Sequence, residues 1–212
     1  MAVIKRGILG GFSNKIGNVV GSSWKGIAVI KSLPLSVANP NTVKQQNVRT
    51  RFTNCVALAA IFVPLFVKKV WNRGAGQMSG FNAFVKMNIF GAFTEDGNFV
   101  RDGLIISPSI ESPQAPTSVV ADAGEQTIVV AMPGGQSGNQ KADDWLIVVV
   151  LTALGEYLGS DCFSSVRSTA AMTIEAVSPF IEGASIVVYV AAQSADGLRN
   201  FGQSYTEVTA IA

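Results

Sequence analysis

Between Trp24 and Ser32 the chain alternates, with Ile27 and Val29 on one face and Ala28 and Ile30 on the other. That period of two predicts a strand. A preceding strand is expected over Ile16–Val20, with the turn between them at Gly21–Ser23, and residues 3–32 read as short strands throughout. Pro34 and Pro40 then hold an extended connector over 32–40, because each pushes the residue before it out of the helical region. The period changes after that. Asn41 or Thr42 is placed to cap a helix, and Val43, Phe52, Val56, Ala59, Ala60 and Val63 recur at helical spacing. Pro64 should kink this helix or start a second one through Asn72. Ser79 is placed to cap a third, carrying Phe81, Phe84, Val85, Asn88 and Ile89. The phenylalanines Phe81, Phe84, Phe90 and Phe93 read as core packing. Leu104–Ile110 is a further strand candidate.

After the proline- and serine-rich stretch SPSIESPQAPTS the pattern shifts again. Segments rich in Val, Ile and Thr recur at 117–122, 126–132, 144–151, 156–163, 168–175, 184–193 and 203–210, separated by turn clusters. Seven short strands at this spacing predict an all-β immunoglobulin-like sandwich. The expected fold class is therefore an α+β N-terminal part, short glycine-rich strands plus helices, followed by that sandwich. The expected domains are a basic one over 1–107 (strands 3–32, helices 41–93), a linker over 108–116 and the sandwich over 117–212.

Charge sharpens this division. The net charge of +2 hides 13 Lys and Arg against 3 acids in residues 1–107, and 3 bases against 11 acids in 108–212. The first acid in the chain is Glu95. A basic half suits nucleic acid, an anionic surface, an acidic partner or the acidic half of a neighbouring copy. Only 14% of residues are charged while 48% are apolar, against a usual charged share of about 25%. Such a surface is expected to be covered by other subunits, which points to a homo-oligomer.

Catalytic chemistry finds little to work with. The chain has no histidine, so the commonest general base and metal ligand are missing. Cys55 and Cys162 form no zinc spacing and read as buried free thiols, a disulfide being the alternative. Asp143 and Asp144 are adjacent, so in a strand they diverge, and the other acids read as solvated turn residues. The glycines of Gly7–Gly26 match neither a P-loop nor a dinucleotide fingerprint. No enzyme, cofactor or metal site is expected. No membrane span is expected either, because the most apolar window, Cys55–Val67, has 13 residues and contains Pro64.

Two stretches carry resemblances. SPQAPTSV at 112–119, DWLIVVV at 144–150 and ASIVVYVAAQSADGLRNFGQSY at 184–205 resemble a fibronectin type III domain. With Val188, Val190 and Ala192 inward, Ile186 takes the place of that family's corner tyrosine and Tyr189 falls on the opposite face. GILGGFSNKIGNVVGSSWKG and the following SLPLSVANPNTVKQQNVRTRF resemble a domain family of unknown function found in Bacteroidota bacteria and their phages. That resemblance is close over about the first 55 residues. It implies a name and a host range and supplies no active site; a phage origin fits the small size, the lack of histidine and the interaction-type second domain.

These readings combine into a two-part structural protein of a phage particle, capsid- or tail-associated, made in the host cytoplasm and located in the virion, with other virion proteins as partners. The alternatives are a nucleic-acid-binding protein using the basic half, and a bacterial surface adhesion module. Gly10, Gly11, Gly17, Gly21 and Trp24 are the candidate contact or fold-defining residues, with Trp24 expected as a buried strand tryptophan. Lys44, Arg49 and Arg51 are the candidate polar contacts.

Overall fold

A computed structural model describes residues 2–4, 12–36, 41–109, 115–133 and 140–212. The expectations for Gly10, Gly11, Pro40, the loop 134–139 and most of the 108–116 linker lie outside these. The chain forms two compact units, Met1–Gln45 and Gln46–Ala212.

The first unit is a four-stranded antiparallel sheet in the order β1–β4–β3–β2, built from β1 (Ala2–Ile4), β2 (Asn14–Ile16), β3 (Val19–Trp24) and β4 (Ile27–Ser32). The turns sit at 17–18 and 25–26. Gly17 opens the first with φ +56°, and Lys25 (φ +47°) and Gly26 (φ +80°) make the second. Two-residue turns of this kind match the twist of the strands they join. Gly21–Ser23, expected as the turn, instead lies inside β3. Serine and glycine marked a turn there, but the turns went to the positions that need positive φ.

In the second unit, α1 (Val43–Phe62) starts at Thr42, whose Oγ1 accepts from the Gln45 amide at 3.4 Å. The buried stripe is Cys55, Leu58, Ala59 and Phe62, continuing through Phe66, Val67, Val70 and Trp71. The expected stripe is displaced from this one: Val43, Phe52 and Ala60 are exposed. The segment is apolar on nearly every side, so periodicity alone does not fix which side faces inward. Pro64 neither ends the helix nor starts a new one. It sits in a π-helical turn, Val63–Val67, that runs on into α2 (Lys68–Trp71). The wider turn accommodates a proline that lacks an N–H and crowds the preceding turn. Ser79 caps α3 (Gly80–Asn88), accepting from the Asn82 amide at 3.2 Å.

Seven strands follow: β5 (Ser118–Asp122), β6 (Thr127–Ala131), β7 (Trp145–Thr152), β8 (Tyr157–Val166), β9 (Ala171–Glu175), β10 (Ser185–Gln193) and β11 (Asn200–Thr209). They form a three-stranded sheet, β5–β6–β9, and a four-stranded sheet, β11–β10–β7–β8. One core lies between the sheets and contains Leu146, Val148, Val150, Val188 and Val190 with Ile128, Val130 and Ile174. A second core lies on the other side of β7 and β10, where Ile147, Val149, Leu151, Val187, Tyr189 and Ala191 meet Cys55, Phe62, Phe66 and Phe84. The unit is thus three layers, helices on a sheet on a sheet. This is why the compact division falls after Gln45 and not in the 108–116 linker: the helices close on the outer face of the sandwich and share its core.

The alternation in β10 follows the expected faces. Val188, Val190 and Ala192 point between the sheets, while Tyr189 points to the helical layer, where its hydroxyl donates to the Arg101 carbonyl at 2.6 Å. Leu104–Ser109, the described part of an expected strand, is not a strand. Side chains take up its backbone groups instead. Asn88 accepts from the Ile105 amide (2.6 Å) and donates to the Ile105 carbonyl (2.9 Å). Gln203 accepts from the Ile106 amide (2.5 Å) and donates to the Leu104 carbonyl. The Trp71 indole donates to the Ile106 carbonyl (2.9 Å). Buried backbone groups must pair, and here amide and indole side chains replace a ladder.

Candidate functional site

One face of the first unit's sheet is exposed or half-buried at each position whose burial is described. Residues opposite one another in register share a face, so Lys15, Val20 and Lys31 form one row, Ser22 and Val29 the next, and Trp24 and Ile27 the last. Val20, Ile27 and Val29 are half-buried; Trp24, Lys15 and Lys31 are exposed. The other face carries Gly21, the one buried residue among the unit's described positions. A Cβ at Gly21 would lie 2.3 Å from the Phe12 carbonyl oxygen and 2.5 Å from its ring. Gly21 therefore admits the protein's own chain, which answers what this glycine is for. Gly17 makes a turn, and a Cβ there meets nothing within 4 Å. Trp24, expected to be buried, is 54% exposed at the end of β3. Sequence alternation already placed Ile27 with Val29. The role of Lys15 and Lys31 beside them needed the strand register.

The basic residues of the helical layer do not gather into one patch. Arg49 and Arg51 are two positions apart on a helix, so they point about 200° apart. Arg51 lies over the Phe90 ring at 5.2 Å and Lys69 over the Phe163 ring at 4.2 Å. Arg73 donates to the Gly197 carbonyl, and Arg101 pairs with Glu207. These cations are engaged with their own protein. Lys44 and Arg49 are exposed on α1.

Groups with reactive potential are committed to structure. Both cysteines are free; burial pushes the Cys55 thiol up to about 11 and the Cys162 thiol up to about 12, which leaves them as thiols and poor nucleophiles. Asp143 is exposed, whereas Asp144 is buried and accepts from the Lys141 amide at 2.7 Å. Arg167, also buried, lies 3.7 Å from Asp144, donates to Gln140 (2.8 Å) and stacks 5.6 Å from the Phe201 ring. The cleft beside this pair, about 430 Å³, is lined by Lys141, Asp143, Ser194, Asp196 and Arg199. Its Asp196 is taken up within the turn, accepting from the Ser194 hydroxyl and the Leu198 amide. Asp122 likewise accepts from the Gly124 and Glu125 amides. Among the described residues no cluster of three or more His, Cys, Asp or Glu is placed to hold a metal. Val43–Trp71 is long and apolar enough to cross a membrane by length and composition. Its buried stripe, however, is matched by the outer face of the sandwich in the shared core.

Residues 11–206 match the model of a family described as "Family of unknown function (DUF6266)". The chain belongs to that family. The match runs through both compact units, so the hairpin sheet, the helical layer and the sandwich make up one family's architecture. The resemblance read from the sequence had placed it on the N-terminal half. No curated protein matches the chain. Among solved structures, the crystal structure of CopC from Methylosinus trichosporium OB3b is similar at 16% identity and a TM-score of 0.27, covering 50% of this chain and 91% of that one. A likeness of that size carries no functional argument.

Proposed function

We propose that this chain is a non-enzymatic structural protein of a phage particle, capsid- or tail-associated, working through contacts with copies of itself and with shell proteins. The observation that carries the reading is the sparse burial of the β1–β4 sheet among its described residues. A four-stranded sheet with one buried residue among its described positions has no core of its own. Small sheets gain independent stability from a covered hydrophobic face. The face bearing Val20, Trp24, Ile27 and Val29 gains that cover by docking on a partner. The sandwich, with sheets ordered β5–β6–β9 and β11–β10–β7–β8, supports a fibronectin type III-like reading, a fold used for contact and display. The particle setting draws on the resemblance of Gly7–Gly26 and its connector to a family found in Bacteroidota bacteria and their phages. Mass spectrometry of purified particles tests the reading: the chain is expected among the virion proteins, and its absence overturns the proposal.

The nucleic-acid reading is weakened by the four cations already held by Phe90, Phe163, Gly197 and Glu207. Tight DNA binding that falls steeply as salt rises would restore it.

A further inference from the structure

The sandwich has two unlike ends. At one end lie the β5–β6 turn, the β7–β8 turn, the β9–β10 connection and the residues after β11. The Ala153 amide donates to the Ser185 carbonyl (2.9 Å), the Gly183 amide to the Ala210 carbonyl (2.9 Å) and the Gln126 side chain to the Phe180 carbonyl (2.8 Å), and Asp122 bridges Ile211. This end exposes four large apolar side chains: Leu154 (80%), Ile181 (78%), Val177 (73%) and Ile211 (54%). Among them stand Glu125, Glu156, Glu175 and Glu182, all exposed. The bases of the chain's second half, Lys141, Arg167 and Arg199, all lie at the opposite end, next to the Trp145–Val166 and Gln193–Asn200 pairs. The turns of the first end are therefore apolar and acidic, and the arginine beside them, Arg101, is paired with Glu207, which also accepts from the Ser185 hydroxyl.

The Lys15–Lys31 face of the β1–β4 sheet is its complement: apolar through Val20, Trp24, Ile27 and Val29, basic through Lys15 and Lys31, in a unit with no acid. Every copy of the chain carries both surfaces. Sheet face against sheet face would bring the lysine rows together, and end against end would bring the glutamates together. Like charges opposed across an interface cost several kcal/mol. Only the unlike pairing buries the apolar residues with charges matched.

We infer that the Lys15–Lys31 face of one copy docks on the Leu154–Val177–Ile181 end of a second copy. The contact is head-to-tail, so repetition gives a ring or a filament. It rests on the structural reading proposed above for its setting and names the partner, a second copy of this chain.

Charge exchange tests it on the full chain. Wild type is expected to sediment as concentration-dependent oligomers that dissociate as salt rises. Lys15→Glu/Lys31→Glu makes both surfaces acidic, and Glu156→Lys/Glu175→Lys/Glu182→Lys makes the sandwich end basic like the sheet. Each variant alone is expected to sediment as a monomer with an unchanged circular dichroism spectrum, its self-association weakened roughly a hundredfold. An equimolar mixture is expected to assemble again, because each variant now offers the surface the other needs. Wild type that stays monomeric at high concentration overturns the inference. So does either variant assembling as wild type does, or a mixture of two folded variants that stays monomeric, which would assign the face to a different acidic protein. The particle reading fails separately, through absence of the chain from virions.

Discussion

The two four-stranded sheets of this protein share a strand count and little else. In β11–β10–β7–β8 the central strands are buried on both sides: Leu146 to Leu151 of β7 and Ile186 to Gln193 of β10 are all covered. In β1–β4 the one buried position among those described is Gly21. Both sheets satisfy their backbone groups through ladders. What separates them is the number of layers packed against them. Hydrogen bonding specifies a sheet, and apolar burial of about 25 cal/mol per Å² holds it. The first sheet therefore has little burial of its own among its described residues, and the second has a layer on each side.

The largest effects should come from breaking the well-covered sheet. Leu151 faces the helices and Leu146 faces the opposing sheet. If the helices are a true third layer, Leu151→Ala and Leu146→Ala each lower stability by about 2–5 kcal/mol. Denaturant midpoints check this. A full loss for Leu146→Ala with almost none for Leu151→Ala would show the helical layer to be an accessory. Next comes the segment joining the helices to the sandwich. Asn88 is buried and bonds both backbone groups of Ile105. Asn88→Ala orphans them and is expected to cost about 1–3 kcal/mol. Asn88→Ala with an unmoved midpoint would mean the segment finds other partners.

The same contrast explains what could be read in advance. The seven sandwich strands follow from Val-, Ile- and Thr-rich segments between turns, and their observed bounds differ by a few residues at most. The Thr42 and Ser79 caps were legible because capping is local chemistry. The inward stripe of α1 was not, since Cys55–Val67 is apolar almost all round and its partner, the Ile147–Leu151 face, lies some 90 residues away in sequence. Leu104–Ser109 read as a strand because it is apolar. That Asn88, Trp71 and Gln203 serve its backbone is a tertiary fact no local pattern carries. Trp24 read as buried because tryptophan usually is, but it ends β3 in a sheet whose described positions are mostly exposed. Of the candidate contacts, Gly21 acquired a defined role in packing on Phe12. The proposed docking face became visible only once the register aligned Lys15 with Val20 and Lys31.

A smaller, localised effect is expected in the thin sheet. Gly21→Ala places a methyl group against the Phe12 carbonyl, a backbone atom that cannot swing aside. The sheet of the first unit should loosen while the sandwich stays intact. Hydrogen exchange should show β2–β4 amides losing protection while β7 and β10 amides keep theirs. Loss of protection in both would mean the two sheets unfold as one cooperative body.

Acid should separate the regions most finely. Residues 1–45 contain no Asp, Glu or His, so no side chain there titrates between neutral and strongly acidic pH. The sandwich has carboxylates whose ionised form the fold favours. At Glu207 the Ser185 hydroxyl donates to the carboxylate, the main cause of its lowered pKa, and Arg101 adds to it. Asp196 is lowered by the Ser194 hydroxyl and then by the Leu198 amide. A folded pKa below the unfolded one contributes stability above the unfolded value, about 4.3 for Glu and 3.9 for Asp. That contribution is lost as pH falls through the lower folded value. Opening of β10 and β11 should therefore become easier as pH drops below about 4, while that of β2–β4 should stay level, after correction for intrinsic exchange rates, at concentrations where the chain is monomeric. Glu207→Gln should flatten part of the β11 response and leave β2–β4 unchanged. Because Glu207 and Arg101 are both well exposed, the change should be small, as for surface pairs generally. A β2–β4 sheet that opens in acid together with the sandwich would mean it draws its stability from acidic groups on another surface. If that response appears only at concentrations where the chain oligomerises, the surface belongs to a neighbouring copy.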